Sequence, residues 1–367
     1  MFCGHCGDDH PDTQPRCPRT MGIVGDGGPC GTQIDRYKIE KLLGGGAFGS
    51  VYRAYHARTQ AVVAFKVLRP ELMTNATILE RFLREATTAA SVGSEHVVRV
   101  VDAEVTAGNV AFIAMEYVPG EDLRSLLERE GPLHPARAVG LVMQLLQGLA
   151  AAHDRGVVHR DVKPANALVM RRRDVHNREQ ELLKVMDFGI SKVAGAAPLT
   201  AVGATIGTPN YMAWEQFTDS RAVDARTDLY AAAAILHECI VGKKPFEADD
   251  IPSLMNKVRI RDRKRVRDLV PSLPVPLCAV IEKGLEKHQA DRWQSARQFI
   301  AALEQVVPLL PEAPPLAPSQ ARTEIEQTAI RLPTTPKPDV PTRERDEQKH
   351  IDTRISAPKP GDETEKG

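Results

Sequence analysis

Three oxygen-bearing side chains fall in two short polar segments: Asp161 and Asn166 in "HRDVKPAN", and Asp187 in "DFG". Two carboxylates and an amide oxygen are hard ligands of the type a small divalent cation such as Mg²⁺ takes. Upstream, "GGGAFGSV" sets Gly44, Gly46, Gly49 and Val51 in the pattern G-x-G-x-x-G-x-V. Without Cβ atoms, such a turn lets backbone amides approach a polyphosphate. Lys66 sits in the apolar run "VVAFK", where an ammonium is costly unless its charge is matched. Glu85, in "ILERFLREATTAA", is a match of opposite sign. Metal ligands, cations for phosphates, a glycine flap and a base to orient a hydroxyl are together what phosphoryl transfer from a Mg²⁺-nucleotide requires.

Taken singly, each feature has a plainer meaning. A glycine-rich hairpin is often only a turn, and a strand-end lysine can snorkel to solvent. The glycine segment also joins strand to strand, which counts against a dinucleotide fold, and it lacks the Lys-Ser/Thr ending of a P-loop.

The elements that must hold these residues can be read from periodicity. "YKIEKLL", "SVYRAYH", "AVVAFKVL", "VVRVVDAEV" and "VAFIAMEY" are short β-branched and aromatic runs that predict strands. Ile78, Leu79, Phe82, Leu83 and Ala86 recur at helical spacing between them. After Pro119 the pattern turns helical: "HPARAVGLVMQLLQGLAAAHDRG" has Pro135 in its first turn, an apolar stripe through Leu149, and Gly156 placed to end it. A strand-rich half followed by a helix-rich half predicts an α+β, two-lobed fold: a small β-rich N-lobe with one helix over residues 36–118, and a larger helical C-lobe over 119–305.

On these motifs the chain resembles the eukaryotic-like serine/threonine protein kinases, in particular those of bacteria, over about residues 36–305. The resemblance implies ATP as cofactor, with Mg²⁺ or Mn²⁺. Leu43, Gly44, Gly46, Gly49 and Val51 would cover the nucleotide, Lys66 would hold its α/β-phosphates, and Glu85 would position Lys66. Asp161 would be the catalytic base, Lys163 would steady the γ-phosphate, and Asn166 and Asp187 would ligate the metal. In "AMEYVPGED", Met115 resembles the gatekeeper, the backbone of Glu116 and Val118 would meet adenine, and Asp122 would contact the ribose. The plainer reading of Asp122 is a solvent-facing acid in a strand-to-helix linker. His159 would pack beneath the loop without a catalytic role. Arg160, beside Asp161, needs an anionic partner, which implies switching by phosphorylation at Thr200 or Thr205. Thr208 would help to recognise substrate, and Asp228 would brace the catalytic loop. The implied activity is phosphorylation of protein serines and threonines, the chain's own included. The alternatives are a nucleotide-binding pseudokinase scaffold and a small-molecule kinase of related fold. "GTPNYMAWE" argues against the last.

The rest of the 367 residues bounds this reading. Formal net charge is zero and 42% of residues are hydrophobic, so no global field favours nucleic acid and a sizeable core is expected. No apolar run is long enough for a membrane span, and a cytoplasmic location is expected. Four of the six cysteines, Cys3, Cys6, Cys17 and Cys30, fall in the first thirty residues. With "CGHC" presenting two thiols on one turn, and Cys17 joined by Cys30, His5 or His10, residues 1–31 are a candidate zinc-ribbon-like module, weighed against a reduced, flexible segment. Cys239 and Cys278 are expected to pack as small apolar residues. The Pro-rich, aromatic-free stretch 308–367 predicts a disordered tail.

Several stretches depart from the family. "RRRDVHNREQE" enlarges a hairpin between "NALVM" and "LLKVM", expected as a longer solvated turn. "KVRIRDRKRVRD" is a cationic run, weighed as a docking surface against a solvated face. Alanines in "LYAAAAILHE" replace the usual helix glycine. Trp214 stands in "AWEQ" where the family has Ala-Pro-Glu, although Glu215 and its expected ion-pair partner Arg292 are both kept.

Overall fold

Alternate burial along β-branched and aromatic runs shapes the first half of the chain. The computed structural model describes residues 3, 5–8, 28–46, 48–188 and 209–316. Strands β1 (Gln33–Ile34), β2 (Tyr37–Gly45), β3 (Gly49–His56), β4 (Val62–Leu68), β5 (Val100–Val105) and β6 (Ala111–Glu116) form one antiparallel sheet in the order β1-β2-β3-β4-β6-β5. Tyr37, Ile39 and Leu42 of β2, Tyr52 of β3 and Phe65 of β4 join one buried cluster, in which Phe65 stacks on Phe112 with ring centroids 4.7 Å apart. A second cluster joins Leu68, Ile113 and Met115 of the sheet to Phe82 and Ala86 of helix α1 (Ala76–Ser91). The Asn75 side chain starts that helix by accepting from the Ile78 amide. The runs read as strands correspond to β2 through β6. The two-residue β1 is too short to leave a periodic signal.

The second half is mainly helical: α2 (Leu123–Glu130), α3 (Pro135–His153), α4 (Trp214–Thr218), α5 (Ala225–Val241), α6 (Ile251–Ile260), α7 (Val266–Leu269), α8 (Val275–Gly284) and α9 (Ala296–Val306). A small sheet of β7 (Gly120–Asp122), β8 (Ala167–Arg173) and β9 (Glu179–Val185) forms its strand component. Helix α5 is buried on nearly every side, which explains its unbroken apolar stretch. The close approach that a glycine would give on α5 comes instead from α8: a Cβ at Gly284 would lie 2.4 Å from the Ala233 Cβ. Cys239 and Cys278 are buried in this core, as small apolar residues are.

Strand β9 is also tied to the N-lobe. Val98 N–H donates to the Val185 carbonyl and Val185 N–H to the His96 carbonyl, each at 2.8 Å. The enlarged hairpin lengthens β8 and β9, which stay paired as far as Arg173 and Glu179. Its arginines are matched locally, Arg172 with Glu95 at 3.1 Å and Arg178 with Asp174 at 2.8 Å. Part of the cationic run is matched within its own lobe: Arg261 pairs with Glu286, Arg263 with Glu282, and Lys257 donates to the Glu247 carbonyl at 2.7 Å, while Lys264, Arg265 and Arg267 are exposed. Near the tail, Leu310 still packs on the core, so ordered structure continues past residue 308. The remainder of the tail, from 317, lies outside the described residues.

Candidate active site

Lys66 projects from β4, paired on one side with Val51 of β3 and on the other with Ile113 of β6. Its Nζ lies 2.9 Å from Glu85 Oε1 and 2.9 Å from Asp187 Oδ1. The three side chains therefore draw β4, α1 and the segment after β9 to one point. Burial disfavours the ammonium, yet the Asp187 and Glu85 carboxylates outweigh it and hold the Lys66 pKa above the ordinary lysine value. Burial pushes the Glu85 carboxyl up, to about 7, against the pull of Lys66 and with the repulsion of Asp187 added. Burial also acts to raise Asp187, but the charge and hydrogen bond of Lys66 leave it below the ordinary aspartate range.

A raised carboxyl pKa means that the folded protein holds a proton the unfolded chain releases, so ionised Glu85 costs stability as pH rises through about 7. Glu85→Gln is therefore expected to raise the melting temperature of the nucleotide-free protein at pH 8. The gain should vanish as pH falls toward the ordinary glutamate pKa of about 4.3. A variant that melts below the wild type at pH 8 would contradict this assignment.

The catalytic loop is built on Asp228, buried in α5. Its Oδ2 accepts from the His159 amide and its Oδ1 from the Arg160 amide, both at 2.8 Å, and His153 Nε2 lies 2.8 Å from Oδ2. Gln216 Nε2 holds the Arg160 carbonyl at 2.8 Å. Arg160 and Asp187 adopt left-handed backbone, with φ of 64° and 56°. Such strain in non-glycine residues persists only where the surroundings enforce it. His159 Nδ1 accepts from the Asp161 amide at 3.3 Å, so Nε2 carries the proton that reaches the Met186 carbonyl at 3.0 Å. Its ring packs on Phe188, with centroids 4.8 Å apart. With both nitrogens committed, His159 is a support for the loop.

On this base, Lys163 Nζ lies 2.6 Å from Asp161 Oδ2, and Asn166 Nδ2 donates to the Asp161 carbonyl at 2.9 Å and to Oδ2 at 3.2 Å. The Asn166 amide nitrogen is thereby used on Asp161, which leaves its oxygen as the atom that could ligate a metal. The glycines of the flap divide in role. A Cβ at Gly49 would lie 2.1 Å from the Val67 carbonyl oxygen, so β3–β4 pairing requires this glycine, whereas Gly44 and Gly46 face open space.

These side chains are arranged for phosphoryl transfer, and the sequence pattern of the protein kinase domain matches residues 37–303. The chain belongs to the protein kinase family. Within that family it resembles the serine/threonine kinases of bacteria. It is 39% identical over 273 residues to PknD of Mycobacterium tuberculosis, a match covering 74% of this chain and 40% of PknD. To pkn3 of Myxococcus xanthus it is 38% identical over 304 residues, covering 79% and 52%. The chain thus spans about half or less of these relatives' length. The crystal structure of the Mycobacterium tuberculosis PknI kinase domain is similar, with a TM-score of 0.56 and 27% identity, covering 75% of this chain and 98% of that one.

In this kinase domain Asp122 is a helix cap: its oxygens accept from the Ser125 amide and hydroxyl, each at 3.0 Å. It is thus not a free solvent-facing acid, and each oxygen, accepting one bond from α2, keeps a lone pair with which a ribose hydroxyl could be met. Leu43 is exposed beside the flap, Val51 and Glu116 are half-buried, and Val118 is buried. Thr200, Thr205 and Thr208 lie outside the described residues.

The zinc expectation finds no support. Among the described residues no three His, Cys, Asp or Glu side chains are grouped to hold a metal ion, and Cys17 lies outside them. Cys3, Cys6 and Cys30 instead join the buried cluster of Tyr37, Ile39 and Leu42. Burial, together with Cys6 and Cys3, pushes the Cys30 thiol up to about 11.

Glu215 and Arg292 make the expected bidentate pair, at 2.7 and 2.9 Å, fully inside the C-lobe. Trp214, just before it, is the first residue of α4. The amide of that position has no intrahelical acceptor, which is why proline fits there in the family. The indole packs on the core, with Lys287 Nζ 5.1 Å from its ring. Trp214→Pro is expected to leave the melting temperature and transfer rate nearly unchanged. A rise confined to the KM for peptide would show instead that the indole shapes the peptide site.

Proposed function

We propose that this chain transfers the γ-phosphate of ATP to serine and threonine hydroxyls of proteins. The observation that carries the proposal is the assembly at one site of Lys66 with Glu85 and Asp187, each at 2.9 Å, and of Asp161 with Lys163 and Asn166. Asn166 and Asp187 hold Mg²⁺, or Mn²⁺ in its place. Bound there, the metal neutralises charge on the phosphates. Lys66 orients the α/β-phosphates, Gly44 and Gly46 admit the nucleotide beneath the flap, and the backbone of Glu116 and Val118 meets adenine. Asp161 accepts the proton of the attacking hydroxyl, and Lys163 steadies the γ-phosphate.

A protein substrate is favoured by an open cavity of about 410 Å³ against the catalytic loop, lined by Arg124, Lys163, Ala165, Tyr211, Glu238 and Lys244. Its wall is rigid where Tyr211 Oη donates to Glu238 Oε2 at 2.6 Å. The serine/threonine kinase names of the relatives support the choice of hydroxyl, as does the "DVKPAN" form of the loop. The pseudokinase alternative is disfavoured because Lys66, Asp161, Asn166 and Asp187 are all present and mutually placed. Self-phosphorylation at Thr200 or Thr205, read by Arg160, is the proposed switch, and intracellular signalling is the proposed setting. The unit responsible is residues 36–305, preceded by the cysteine-containing segment and followed by the Pro-rich tail.

Incubating the purified chain with Mg²⁺-ATP and a basic test protein, followed by phosphosite mapping, tests this. Phosphoserine and phosphothreonine are expected on either protein. Phosphotyrosine alone, or no phosphosite, contradicts the proposal.

A further inference from the structure

Behind the strand proposed to meet adenine, a further ion pair joins the two lobes. Lys184 of β9, whose side chain is only 11% exposed, places Nζ 2.8 Å from Glu116 Oε1 at the end of β6. The same carboxylate oxygen accepts from the Arg99 amide at 2.8 Å, and the Glu116 amide donates back to the Arg99 carbonyl at 2.9 Å. Glu116 is therefore held through its backbone by the entry to β5 and through its side chain by β9. Along the edge of β9 paired with β8, Leu168 is the register partner of Lys184, and Leu168 also pairs with Asp122 of β7. The lysine thus lies at the junction of the N-lobe sheet, the hinge and the small C-lobe sheet. His96 Nδ1 meets the Leu183 carbonyl at 3.0 Å beside it.

A nearly buried ammonium is costly, and a hydrophobic residue of similar length could pack this position. Its specific product is the fixed orientation of Glu116, the residue whose backbone meets adenine. We propose that Lys184 is a positioning residue for nucleotide recognition: by clamping the Glu116 carboxylate it sets the hinge peptide against adenine. This rests on the kinase reading and adds a residue that sits outside the phosphate and metal machinery. When Lys184 loses its charge, Glu116 turns toward solvent, the Arg99 amide loses its acceptor, and the hinge peptide gains freedom. Adenine then binds less tightly, and the preference for ATP over GTP narrows.

Steady-state kinetics on the full chain test this with Lys184→Met, Lys184→Arg and the wild type, using ATP and GTP at a saturating concentration of a basic test protein. Lys184→Met is expected to raise the ATP KM about tenfold, the loss typical of a charged hydrogen bond. The ATP-to-GTP preference should fall, kcat should change far less, and Lys184→Arg should restore most of both. An unchanged ATP KM and nucleotide preference in Lys184→Met overturns the proposal while leaving the kinase reading intact. So does a lowered melting temperature with kcat reduced and the ATP-to-GTP ratio unmoved, which marks a merely structural residue. A wild type that transfers no phosphate from either nucleotide overturns the kinase reading and this proposal with it.

Discussion

Asp161→Asn is expected to slow phosphoryl transfer about 10³-fold, within the range that a positioned general base supplies. The substitution is nearly isosteric, and an amide oxygen at the Oδ2 position can still accept from Asn166 Nδ2 and Lys163 Nζ. The loop itself hangs on Asp228, which holds the His159 and Arg160 amides and is untouched. Melting temperature should therefore stay close to that of the wild type, while the atom that takes the hydroxyl proton is lost. The phosphate contacts proposed for Lys66 and the flap are untouched, so ATP affinity should move little. A loss of kcat with unchanged ATP binding is the signature of an interaction made in the transition state.

Arg292→Leu is expected to produce the largest loss of stability. The guanidinium makes two short bonds to Glu215, at 2.7 and 2.9 Å, and donates to the Glu286 and Lys287 carbonyls at 2.6 and 2.7 Å. Without it, Glu215 stays buried and, among the described residues, keeps only the Thr227 hydroxyl, at 2.7 Å, as a side-chain partner. Removing one member of a buried pair costs on the order of 3–5 kcal/mol, because the survivor's charge is left uncompensated. For a domain of this size that corresponds to a fall of about 10 °C in melting temperature. Replacing both members, as Glu215→Gln with Arg292→Met, should recover part of the loss. If the single and double variants melt alike, the uncompensated charge is not the cause. If Arg292→Leu melts within about 2 °C of the wild type, the pair carries little stability.

The lobes and the reacting groups were legible because each leaves a local mark. Short β-branched and aromatic runs mark β2 through β6, an apolar stripe marks α3, and Asp161, Asn166 and Asp187 lie within short polar segments. Even the Lys66–Glu85 pair could be anticipated, since an ammonium in an apolar strand needs a carboxylate within reach. The distribution of work among similar residues was not legible. Gly49 serves strand pairing where Gly44 and Gly46 face open space, a distinction made by the Val67 carbonyl and not by spacing. Asp122 caps α2 through Ser125, a helix start that the linker reading passed over although an acid three residues before a serine is a local cue. The Lys184–Glu116 clamp and the grip of Gln216 on Arg160 join residues 68 and 56 positions apart and leave no periodic trace. The zinc reading of the N-terminal cysteines finds no support among the described residues. Spacing in "CGHC" suits a metal, but Cys3, Cys6 and Cys30 are also buried in one apolar cluster with Tyr37, Ile39 and Leu42, a packing that spacing does not show.

The most direct test of the central claim is a side-by-side measurement of γ-phosphate transfer from radiolabelled Mg²⁺-ATP to a basic test protein, with wild type and Asp161→Asn at equal concentration. Label on serine and threonine with the wild type, and background label with the variant, is the predicted result. Equal labelling by both proteins would contradict it.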